Sequence, residues 1–127
     1  MNFIELKQNL KQIAQSIKES KFNFKNCQRK PAATDKEYSE KYYSIETERV
    51  KLMRFKREYR HRHIAYCLMR GTSYDKIEKP AENNKPDIEY IKKIMEETQV
   101  KDGLIDKIKS IIEKFWRKSN EKAICVS

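Results

Sequence analysis

From Ala32 to Arg70 the chain contains neither glycine nor proline. A run of that length without a breaker leaves few alternatives to helix, since the two residues that most reliably interrupt one are absent. "TDKE", Thr34 to Glu37, has the form of a capping box at its start, and Gly71 suits the position just past its end. One unbroken helix here would be roughly 50 Å long. That is long for a small domain, so a break near Ser44 to Thr47 is an alternative. The whole chain has only two glycines and three prolines. Such scarcity disfavours a turn-rich β fold. We expect an all-α fold, a single small domain of four or five helices with one long central helix. At 127 residues it can bury one modest core.

The flanking segments carry helical periodicity as well. Phe3, Leu6, Leu10, Ile13 and Ile17 recur at steps of three and four, one stripe of an amphipathic helix. "KFNFKNCQRKPAA", residues 21–33, loses that period and reads as a linker between the first and second helices. After Gly71, "TSYD" starts a short helix, with Thr72 as N-cap, Asp75 in the first turn and Pro80 ending it. "KPAENNKP" reads as a loop, and Pro86 suits the first turn of the helix carrying Ile88, Ile91, Ile94 and Met95. Asp102–Gly103 breaks the pattern. Leu104, Ile105, Ile108, Ile111, Ile112, Phe115 and Trp116 then form the clearest apolar stripe in the chain. Residues 119–127 read as a flexible tail.

Charge is distributed unevenly. The net +10 resolves into +5 over residues 1–30, −3 over 31–48, +7 over 49–70 and +1 over the remainder. Six of the eight arginines lie between Arg49 and Arg70, although lysine dominates elsewhere. Arginine's planar fork grips phosphate or carboxylate in a bidentate manner, so this concentration points to a binding surface. Around the helix, Leu52, Phe55, Tyr59, His63 and Tyr66 fall on one side, with Lys51, Arg54, Arg57 and His61 roughly opposite. Glu58 is four residues from both Arg54 and Arg62 and can order their forks. From Ile64 to Met69 the helix is apolar nearly all round and should be buried.

These residues make a polyanion contact the leading expectation: DNA or RNA, held largely by its phosphate backbone through counterion release. The contacts would be Lys51, Arg54, Arg57, Arg60 and Arg62, with Lys56 and Arg49 at the edge. Lys21, Phe22, Phe24, Lys25, Arg29 and Lys30 interleave cations with aromatic rings, the pairing that single-strand binders use, and are auxiliary candidates. The same charges would serve a solvated helix face or docking to an acidic protein surface. The phenylalanines would equally serve to fasten the linker to the core. Helix-mediated assembly is a further reading: the Phe3–Ile17 and Leu104–Trp116 stripes could pair with each other or with a second chain.

Two local resemblances bear on the same stretch. "LMRGTSYDKIE" resembles the first turn of helix-turn-helix DNA-binding modules of the response-regulator and sigma-factor kind, with Leu68, Gly71, Ser73 and Ile77 matching. Glu78 stands where that family usually carries a small residue, and its second turn is tighter than "KPAENNKP". The resemblance implies that "DIEYIKKIMEE" is the recognition helix, with Glu89, Tyr90, Lys92 and Lys93 towards DNA. The pairs Arg57/His63 and Arg54/His61 are similar in spacing to the catalytic Arg and His of all-α HEPN ribonucleases. That implies histidine as acid–base group and arginine as stabiliser of a phosphorane.

Other chemistry is not expected. No glycine-rich phosphate loop, nucleophile elbow or acidic metal cluster is present, so the chain reads as a binder and not an enzyme. His63 and Cys67 are four apart, as two zinc ligands on a helix would be, but a closed site needs two more; core packing is the simpler role. No cofactor or metal is expected. Three cysteines, Cys27, Cys67 and Cys125, have no CxxC spacing and fit a reducing compartment. Cys125 lies one residue too near the end for prenylation. With no apolar run of membrane length and no signal segment, we expect a cytoplasmic protein with no membrane contact. Richness in Lys, Asn and Ile is what AT-rich phage or mobile-element genes encode, which would place it in a host cytoplasm.

Overall fold

The computed structural model describes residues 2–78, 85–98 and 102–126, with the side chains of the last helix described for 104–117. The fold is all-α. In chain order the helices are α1 (Phe3–Arg29), α2 (Asp35–Met69), α3 (Tyr74–Ile77), α4 (Ile88–Glu97) and α5 (Asp102–Val126). No strand occurs among the described residues.

The breaker-free segment is one continuous helix of 35 residues, with no interruption near Ser44 to Thr47. Its start is capped by Thr34, whose Oγ1 accepts from the Glu37 backbone N–H at 3.2 Å. Glu37 reaches back one residue further than a standard capping box, accepting from the Ala33 N–H at 2.8 Å. Its end is a Schellman turn: Gly71 N–H donates to Leu68 C=O at 3.0 Å, and Thr72 N–H donates to Cys67 C=O at 3.1 Å. Gly71 adopts φ +87°, where a Cβ would be strained.

Several boundaries differ from the sequence expectations. The expected linker 21–33 is helical as far as Arg29, leaving a short connection before Asp35. The reason lies in Ser20, Phe24 and Cys27, which continue the stripe of Leu10, Ile13 and Ile17 at steps of three and four. Ser20 is buried and Phe24 and Cys27 are half-buried, but two small polar or sulfur side chains hide the period from a hydrophobicity reading. The N-cap of α3 is Ser73, not Thr72, because Thr72 is taken up by the Schellman turn. Pro86 precedes the α4 cap Asp87, whose side chain accepts from Tyr90 N–H at 3.1 Å. Asp102 and Gly103 open α5 instead of breaking a helix, and α5 runs through to Val126, across the stretch expected as a tail. Pro80 and residues 81–84 of the expected loop lie outside the described residues.

The chain groups into two compact units, one of Met1–Gln8 with His61–Ser127 and the other of Asn9–Arg60. The first holds the core. Ile64, Ala65 and Leu68 of α2 cluster with Leu6, Tyr74 and the isoleucine face of α4 and α5: Ile88, Ile91, Ile94, Met95, Ile105, Ile108 and Ile112. Phe3 stacks on Tyr66 with ring centroids 4.6 Å apart, and Tyr74 meets Phe115 at 6.3 Å. The second unit is a two-helix hairpin in which only Leu10 and Ser20 are buried. Ile13, Ile17, Phe24, Ile45, Leu52, Phe55 and Tyr59 are half-buried there.

Candidate nucleic-acid interface

The face of α2 that a polyanion could meet is built by the periodicity of the hairpin's half-buried residues. Ile45, Leu52, Phe55 and Tyr59 draw one side of the helix inward, so residues off that side stay in solvent. Arg54, Lys56 and Arg57 are exposed within a single turn, joined by Lys51 and Arg49 one turn earlier. Arg60 and Arg62 are half-buried, and one guanidinium nitrogen of Arg62 is fully enclosed. The expected cluster of seven therefore divides into five exposed cations and two that are partly withdrawn.

Not all five are equally disposed towards an anion. Arg49 already grips Glu46 through Nη2 at 2.8 Å and through Nε, and its Nη1 reaches Met53 Sδ at 3.3 Å. The Arg49 hydrogen bond holds the Glu46 carboxyl below the usual carboxylate range, and the same contact raises Arg49 above its ordinary value. Lys51 lies 3.7 Å from Glu48, a looser and exposed pair of little energetic weight. Both ion pairs look back towards the acidic first half of α2, which is where the charge sign changes along the helix.

The auxiliary candidates sit on the last turns of α1. Lys21, Lys25, Arg29 and Lys30 are exposed, and Phe22 projects into solvent at 66% exposure. Phe24 is half-buried on the hairpin's inner stripe, so the two rings point in different directions and do not form one stacking surface.

His61 is the residue the sequence placed on the wrong side. It was expected on the basic face beside Arg54 and Arg57, yet it is 3% exposed. Its Nε2 accepts the backbone N–H of Asp87 at 2.9 Å, and its ring meets Tyr90 edge-on at 5.4 Å. It ties α2 to the N-terminus of α4. The signal was present in the spacing of His61, Ile64, Ala65 and Leu68, which is a complete i, i+3, i+4, i+7 stripe. The stripe of Leu52 and Tyr59 does not carry on through it, because the buried side of α2 changes at about residue 60. His63 is half-buried, its Nε2 3.5 Å from Cys67 Sγ. No group of three or more metal-ligating side chains exists among the described residues. Burial pushes the Cys67 thiol up, against an opposing pull from Arg70.

The residues that the helix-turn-helix resemblance turns towards DNA have local partners. Glu89 pairs with Lys109, which raises the lysine above its usual value. Lys92 lies 3.9 Å from Glu96 and 3.7 Å from Asp106 of α5, Tyr90 packs on His61, and Lys93 is exposed. Among the described residues no helix is long and apolar enough to cross a membrane. No family model, curated protein or solved structure matches this chain, so its functional reading stands on these residues alone.

Proposed function

We propose that the chain is a small basic nucleic-acid-binding accessory or regulatory protein that contacts the phosphate backbone of DNA or RNA through α2. The observation that carries this reading is the exposure of Lys51, Arg54 and Arg57 at steps of three along one face of α2, with Lys56 exposed on another side of the helix. Each cation set against a phosphate releases condensed counterions, so affinity should fall with a log–log salt slope of about −0.9 per phosphate contacted. Three to five contacts give a slope of roughly −2.7 to −4.5. Arg60 and Arg62, half-buried, contribute less than the sequence alone suggests. The lysine- and asparagine-rich composition supports a phage or mobile-element protein acting in a host cytoplasm.

The test is a salt titration against a generic duplex, a single strand and an RNA hairpin. Micromolar binding that weakens steeply with salt is the expected result. The double variant Arg54→Glu/Arg57→Glu should flatten the slope by about 2 while the helical circular dichroism spectrum is retained. Absence of binding to all three probes at low salt sinks the proposal.

A protein-interaction module is the second reading, favoured by the exposure of Tyr38, Tyr42 and Met53 on the same helix at 58%, 68% and 58%. Tyrosine, methionine and arginine are the side chains enriched at protein interfaces. A remoter nuclease reading would use His63, since His61 is enclosed and engaged by Asp87. Unchanged RNA cleavage in His63→Ala ends it.

A further inference from the structure

One stripe of α2 reads the same in both directions. Asp35, Tyr38, Tyr42, Glu46, Arg49, Met53, Arg57 and Arg60 follow one another at steps of three, four, four, three, four, four and three. Steps averaging just under 3.6 keep these positions on one face of the helix. That face flanks the side carrying Ile45, Leu52, Phe55 and Tyr59, about a quarter turn round the helix. Asp35, Tyr38, Tyr42, Arg49, Met53 and Arg57 are exposed on it, and Glu46 and Arg60 are half-buried. The symmetry of the spacing is centred on the Thr47–Glu48 bond, so positions equally far from that bond form four pairs.

We infer that α2 associates with α2 of a second copy of this chain, antiparallel about a two-fold axis at Thr47–Glu48. In that register Asp35 faces Arg60, Tyr38 faces Arg57, Tyr42 faces Met53 and Glu46 faces Arg49, each pair occurring twice. Every pairing is chemically complementary. Asp35 with Arg60 is an ion pair, Tyr38 with Arg57 a cation–π contact, and Tyr42 with Met53 an aromatic–sulfur contact. The Glu46–Arg49 pair within each chain meets its symmetry mate and closes a four-charge ring at the axis. A closed two-fold interface requires this kind of self-complementarity, in which one surface patch serves both partners.

Charge along the helix selects the direction. Residues 35–48 carry five acids against Lys36 and Lys41, net −3, and residues 49–60 carry six cations against Glu58, net +5. Antiparallel pairing sets the acidic half of each copy on the basic half of the other. Parallel pairing would set +5 against +5 and is repelled. Tyr42 and Met53, the large exposed apolar groups on the stripe, supply the burial. Lys51 and Arg54 lie off the stripe and remain in solvent in the pair, whereas Arg49, Arg57 and Arg60 are shared with the proposed phosphate face, so dimerisation and phosphate contact draw on some of the same cations.

Sedimentation equilibrium of the full chain, without nucleic acid, tests this from about 1 μM to 1 mM. Salt of about 0.15 M screens the repulsion between two chains of net charge +10. The expected result is a monomer–dimer equilibrium. Asp35→Arg and Arg60→Asp should each weaken it about tenfold, and the double variant should restore it. Positions 35 and 60 are about 37 Å apart on one helix, so rescue cannot arise within a chain. Tyr42→Ala should also weaken dimerisation about tenfold, with circular dichroism showing an intact helix. A monomer throughout the range overturns the inference. A dimer indifferent to all three single variants, or a charge swap without rescue, overturns it equally.

Discussion

Between Asn9 and Arg60 only Leu10 and Ser20 are buried, whereas the unit from His61 onward, with Leu6, encloses a cluster dominated by isoleucine. The short α4 is the most strongly amphipathic helix and the long α2 the least, so the two regions differ in pattern as well as in layers. In the isoleucine-rich unit α2, α3, α4 and α5 supply apolar faces to one another, and Ile64, Ile91, Met95 and Ile112 are less than 2% exposed. In the Asn9–Arg60 unit the apolar residues of α1 and α2 other than Leu10 are half-buried or exposed. Helix pairs of that kind draw little stability from burial and are the natural place for surfaces that meet something else. The exposed tyrosines and most of the exposed arginines are on the hairpin.

Core truncation probes that contrast most forcefully. Ile91→Ala or Met95→Ala should cost about 2–5 kcal/mol, because each removes a fully enclosed side chain and leaves a cavity. Leu52→Ala and Ile17→Ala in the hairpin, half-exposed already, should cost about half as much or less. Urea denaturation of the four variants measures both; equal losses would mean that the hairpin is as well packed as the core. His61→Phe comes next. It keeps the volume but leaves the Asp87 N–H without its acceptor, and should cost about 1–3 kcal/mol. A neutral result would show that α2 and α4 are joined by packing and not by that hydrogen bond.

The smallest effect concerns Cys67. Burial raises its thiol pKa in the folded state, so the fold favours the protonated form. The resulting stability is fully present below the unfolded-state thiol value and is lost as pH rises through the raised folded value. Denaturation curves for the wild type and Cys67→Ala between pH 7 and 10 should therefore converge on the alkaline side. In a kinetic form of the same measurement, Cys67 should be alkylated more slowly than denatured protein at pH 8. Identical pH dependence in both proteins would remove the assigned burial penalty.

How much was legible varies residue by residue. The all-α class, the long second helix and its glycine stop follow from breaker placement, a local property of the chain. The core isoleucines of α4 and α5 follow from spacing that stays in register over their whole length. Residues 21–29 are helical although the sequence reads as a linker, because Ser20 and Cys27 occupy inward positions without an apolar signature. His61 departs from its expected face for a different reason. Extending the Leu52–Tyr59 register past Arg60 assumes that a helix buries one side throughout, and α2 does not. Within the basic cluster the sequence ranks Arg60 and Arg62 with Lys51, Arg54 and Arg57, whereas the structure draws Arg60 and Arg62 partly inward.

The sequence by itself determined that this chain is helical, where its longest helix starts and stops, and that the charge sign reverses along it. Those are consequences of local backbone preference and of covalent order. Only the tertiary structure decided which side of α2 is buried at each point, that His61 serves the core, and that Asp35, Tyr38, Tyr42, Arg49, Met53 and Arg57 are exposed. Burial depends on which elements arrive from elsewhere in the chain, and a periodic pattern alone cannot say which of its faces they will cover.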